Sequence, residues 1–101
     1  MIRIEVNKSG TSIRSISLKG HASYAKEGED LVCAGVSSVF SGALNALQEK
    51  EKFNFVYEKG DGLIEAKEET NSHDQIVLEV LVSQLSYIAS YYPKNVIVIY
   101  N

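Results

Sequence analysis

The side chains in this 101-residue chain best suited to nucleophilic or acid–base chemistry are one cysteine, Cys33, and two histidines, His21 and His73. His21 and Cys33 stand twelve positions apart, and the Gly-bounded stretch between them can bring imidazole to sulfur. A Cys–His pair is the minimum constellation for attack on a carbonyl: the histidine takes or shares the thiol proton and later protonates the leaving amine. Two plainer readings stand beside that one. A lone cysteine in an apolar helix is most often a small core residue, and a solitary loop histidine is usually solvated. Context strengthens the chemical reading. Asp30 reads as an N-cap, which puts Cys33 at the third helical position, where backbone N–H groups are unsatisfied and the helix dipole is positive. Such a position favours thiolate over thiol, and the same N–H groups would form an oxyanion site. Asp30 could instead orient His21. Ser37, one turn beyond Cys33, could hydrogen-bond the sulfur or a substrate carbonyl, or simply its own backbone. His73 reads as a surface residue, and two His with one Cys at these spacings make no metal set. The chain implies no cofactor.

These residues need elements to hold them. Met1–Val6 alternates apolar and polar positions as a strand with one wet face, Asn7–Gly10 turns, and Thr11–Lys19 returns as a second strand. Ile16 and Leu18 share one parity and Ile13 has the other, which calls for a bulge or twist between them. Gly20–Glu29 lacks an apolar period and reads as a surface loop. A helix over Leu31–Glu49 puts Val32, Val36, Val39, Phe40, Ala43 and Leu47 on one stripe. With no charge from Leu31 to Gln48, that helix calls for cover beyond its core side, from a dimer partner or another element. Phe53–Glu58 and Leu63–Glu68 form a hairpin around Lys59–Gly62. Ser72 with Gln75 resembles a capping box for a second helix to Tyr91, whose apolar set is Ile76, Val77, Val80, Leu81, Leu85 and Ile88, and Pro93 stops it. Asn95–Tyr100 is nearly continuous apolar, as in a strand buried on both faces. The order ββαββαβ gives an α+β fold, two helices on a predominantly antiparallel sheet, in a single domain over residues 1–101.

Composition narrows the partners. Ten basic and thirteen acidic side chains leave a net charge of −3, and the basic ones are scattered, so no basic face for nucleic acid emerges. One cysteine forms no internal disulfide and suits a reducing compartment. The N-terminus lacks the basic and apolar regions of a signal peptide, and the charge-free stretch is too rich in Ser, Asn and Gly to span a membrane. The chain reads as soluble and cytoplasmic.

The stretch Gly20–Ser37, GHASYAKEGEDLVCAGVS, resembles the motif of the ribosomal-processing cysteine protease family, Prp. Gly20, His21, Ala22, Gly28, Asp30, Val32, Cys33, Ala34 and Ser37 match its G-H-A opening, glycine-bearing loop and D-[IL]-[VC]-C-A-x-[VS]-S segment in register. Outside this stretch the likeness is generic. The resemblance implies a bacterial homodimeric thiol protease that removes the N-terminal extension of a large-subunit ribosomal protein, cutting after a hydrophobic, Phe-rich segment. It implies Cys33 as nucleophile and His21 as general base, with Gly20, Asp30 and Ser37 supporting and a loop after the histidine, with Ala22, Ser23, Tyr24 and Gly28, that moves on substrate binding. Two rivals remain on the residues alone: a non-catalytic ribosome-assembly or scaffold protein with Cys33 in its core, and a thiol-redox protein that would need an intermolecular disulfide.

Overall fold

A computed structural model of the protein describes residues 1–21, 30–58 and 60–101. Its order is β1 (Ile2–Ser9), β2 (Ser12–Lys19), α1 (Leu31–Ala46), a single 3-10 turn (Lys50–Lys52), β3 (Phe53–Glu58), β4 (Asp61–Ala66), α2 (Ser72–Tyr91) and β5 (Val96–Tyr100). The five strands make one sheet in the order β3-β4-β2-β1-β5. All neighbours are antiparallel except β1 and β5, which run parallel. The expected ββαββαβ architecture is present.

Alternation on β1 is sharp: Ile2, Ile4 and Val6 are buried, while Arg3, Glu5 and Asn7 lie on the opposite face. The two parities of β2 are reconciled by the expected bulge. Asn7 faces Ser15, but Lys8 already faces Ile13, so Arg14 is the extra residue. Both Ile13 and Ile16 thereby reach the core. The amide of Gln75 then pairs with Ile13 as a neighbouring strand would, accepting from its N–H and donating to its carbonyl, each at 2.9 Å. Gln75 therefore does not close a capping box. The N-cap of α2 is Asn71 rather than Ser72, its side chain accepting from the Asp74 N–H at 2.7 Å.

The core stripe of α1 is Val32, Val36, Phe40 and Ala43, continued by Leu47 at the C-cap, with Val39 at its margin. The helix stops at Ala46, three residues before Glu49, because the Gln48 and Glu49 N–H groups donate to the Asp74 carboxylate instead of continuing the ladder. Phe40 is fully buried, and a methyl group added at Gly62 would stand 2.9 Å from its ring, so glycine lets the helix lie close upon β4.

Two expectations are corrected. The inward face of α2 is built on Leu78, Leu81 and Leu85, whereas Ile76 and Val80 are 58% and 49% exposed. That helix carries apolar residues on two faces, and helical spacing alone does not say which one meets the sheet. β5, expected to be buried on both sides, pairs among the described residues only with β1 and has Val96 as its one buried residue. Its continuous apolar run reads like an interior strand, yet it lies at an edge where Ile97 faces outward.

Candidate active site

Cys33 lies in the first turn of α1, half-buried beside the core stripe. The start of that helix is fixed by Asp30, whose Oδ1 accepts from the N–H groups of both Val32 and Cys33 at 3.0 Å. The Asp30 carbonyl accepts from the Ala34 N–H at 3.0 Å. These bonds make Asp30 the N-cap of α1. They also correct the expected oxyanion site. The N–H groups of Cys33 and its neighbours are already engaged by Asp30, because a carboxylate cap takes up the very donors that a bare helix start would offer. Ser37 lies half-buried one turn further along α1.

His21 follows the end of β2, exposed, with its imidazole against the β3–β4 turn. A Cβ placed on Gly60 would stand 3.1 Å from His21 Nε2 and 3.2 Å from Cε1. Sequence reasoning marked Lys59–Gly62 as a turn but had no means to see that its glycine backs onto the histidine. Such a contact between residues 21 and 60 leaves no trace in local composition.

Gly20 sets the direction in which His21 leaves the sheet. Its φ is +95°, and a Cβ there would run into the carbonyl oxygen of Met1. Both the backbone conformation and the space require glycine. We expect Gly20→Ala to cost about 2–3 kcal/mol through left-handed backbone strain and the clash, read as a lowered melting temperature. A change within about 0.5 kcal/mol, the range of an ordinary surface substitution, would refute this account.

The expected mobile-loop residues Ala22, Ser23, Tyr24 and Gly28 lie outside the described residues. His73 is on the surface, as expected, with its side chain 45% exposed and its Nδ1 3.0 Å from Asp74 Oδ1. Among the described residues, no group of three or more His, Cys, Asp and Glu is arranged to hold a metal ion. No helix among them is long and apolar enough to cross a membrane.

Comparison with known proteins places this geometry in context. The family model for cysteine protease Prp matches residues 1–97. The ribosomal processing cysteine protease Prp of Staphylococcus aureus is 29% identical over 99 residues, covering 94% of this chain and 92% of that protein. Its Bacillus subtilis counterpart is 46% identical over 48 residues, or 46% of this chain and 43% of that one. The crystal structure of the S. aureus protease with a covalently linked product peptide superimposes with a TM-score of 0.89 at 24% identity, covering both chains fully, a likeness of fold. With its family model matched across nearly its whole length, the chain belongs to the cysteine protease Prp family and is a peptide-bond hydrolase.

Proposed function

We propose that this enzyme removes the N-terminal extension of a large-subunit ribosomal protein during bacterial ribosome maturation, with Cys33 as nucleophile and His21 as general base. The observation that carries the reading is the family match over residues 1–97, which includes the Gly20–Ser37 motif. The S. aureus and B. subtilis relatives bear the name of ribosomal processing proteases. The same span supports one protease domain over residues 1–101.

In the proposed reaction His21 takes the Cys33 proton, and the thiolate attacks the scissile carbonyl carbon. Collapse of the tetrahedral adduct breaks the C–N bond as His21 returns the proton to the leaving amine. A thioester remains on Cys33. Water, deprotonated by His21, then attacks it and releases the new carboxylate and the thiol. Asp30 serves by pinning the first turn that carries Cys33, and Gly20 by aiming the histidine. Because the cap engages the Val32 and Cys33 N–H groups, these two have no oxyanion role in this reading. Ser37, one turn from the sulfur, is the supporting hydroxyl.

A homodimer in the cytoplasm completes the reading. The side of α2 turned away from the core exposes Ile76, Val80, Tyr87 and Tyr91, the last two at 65% and 66%. An apolar groove lined by Val39, Ser83, Gln84, Tyr87 and Ile88 runs between that side and α1. Apolar surface of this kind on neighbouring helices supports a second copy as its cover.

The test is direct: incubate the enzyme with the extended ribosomal protein and read product masses. A single cut that removes the extension is expected, lost in His21→Ala. An intact substrate would reject the processing role, and full activity in His21→Ala would reject the base.

A further inference from the structure

The outer strand on the side of the sheet where His21 emerges is β3, which among the described residues is hydrogen-bonded to β4 alone. An outer strand leaves a row of N–H and C=O groups unpaired, and proteins blunt such edges with lysine, proline, bulges or brevity. β3 uses none of these devices. It is six residues long, FNFVYE, with no Lys or Pro. Its register with β4 runs unbroken from Phe53↔Ala66 to Glu58↔Asp61. Three consecutive side chains are apolar and open to solvent: Phe55, Val56 and Tyr57 are 38%, 42% and 46% exposed.

The apolar row is ordered. Phe55 stacks on the buried Phe53 with centroids 6.0 Å apart, and Tyr57 meets Phe40 of α1 at 5.4 Å. Phe40 lies two turns along the helix from Cys33, on nearly the same side. At its other end the hairpin turns through Gly60, the residue that backs onto His21. The edge thus leads to the catalytic histidine. The opposite edge, β5, lies across the sheet next to β1.

We propose that the open edge of β3 is the substrate-docking strand, where an extended, apolar peptide segment adds as a sixth strand and is led past Gly60 to His21 and Cys33. Unpaired backbone groups recognise a peptide backbone, and alternate side chains of the added strand fall over Phe55 and Tyr57. Apart from Asn54 and Glu58 the strand is apolar, which suits an apolar occupant. This rests on the processing role proposed above and names how that substrate is held.

The experiment uses the full-length Cys33→Ala protein with a synthetic peptide spanning the junction between the extension and the mature ribosomal protein. Amide exchange in residues 53–58 should slow on adding the peptide. In the active enzyme, Phe55→Lys should raise KM about tenfold, equivalent to about 1.4 kcal/mol of binding, with kcat held, and Phe55→Leu should restore it. Unchanged exchange in β3 at saturating peptide, or an unaltered KM in Phe55→Lys, would overturn the proposal. Cleavage by the unaltered enzyme without protection of β3 rejects the docking edge alone. Protection without cleavage rejects the processing role alone, and the absence of both rejects both.

Discussion

Replacing Cys33 by alanine is expected to lower peptide cleavage by roughly four orders of magnitude or more, the scale seen when a covalent nucleophile is removed. The fold should survive. Cys33 is half-buried at the margin of the core, and the helix start it occupies is held through backbone N–H groups, which alanine keeps. The variant should therefore melt within a few degrees of the parent; one lost sulfur at a half-exposed site costs about 1 kcal/mol or less. Circular dichroism melts alongside a mass-resolved cleavage assay give both readings. Retained cleavage in a folded variant would remove Cys33 from the mechanism.

The second large effect falls on stability. Asp74 is fully buried, and its carboxylate accepts from the Gln48 N–H at 2.8 Å, the Glu49 N–H at 3.1 Å and His73 Nδ1 at 3.0 Å. Burial pushes its pKa up. The bonds from Gln48, His73 and Glu49 outweigh that and hold it below the ordinary 3.8. Asp74→Asn turns one acceptor oxygen into a donor facing a backbone donor, with an expected loss of about 3 kcal/mol at pH 7. The sign with pH follows from the lowered native pKa. The carboxylate's contribution is fully present above the unfolded value and fades as pH falls through the native one. Urea denaturation of both proteins between pH 7 and pH 3 should show the gap narrowing below about pH 4, where the unfolded carboxyl begins to bind its proton. A gap that widens on acidification would contradict this account.

The motif Gly20–Ser37 was readable because it is local. An N-cap, a first-turn cysteine and a glycine before a histidine each announce themselves within a few residues. The bulge at Arg14 was readable for a similar reason, since the parity conflict between Ile13 and Ile16 sits inside one strand. What escaped was long-range. Whether Ile76 and Val80 or Leu78 and Leu81 meet the sheet depends on the tilt of a helix with two apolar sides. The Gln75 amide pairs with the Ile13 backbone, 62 positions away, besides the nearby Thr70 hydroxyl, so a plausible capping box was read in place of a link between helix and strand. The oxyanion expectation failed locally. The cap and the donor site were inferred from the same four residues, and the carboxylate of Asp30 satisfied the N–H groups that the second inference needed free.

The parallel pairing of β1 with β5 carries a kinetic consequence. It joins Ile2–Val6 to Val96–Tyr100, across almost the entire length of the chain. The entropy lost in closing so long a span is spent before its contacts repay it. The β1–β2 hairpin can form from neighbouring residues, whereas β5 needs the chain through α2 to bring residue 96 back to residue 2. Pairing of β5 is therefore expected late in folding, with pulsed amide exchange in residues 96–100 as its measure.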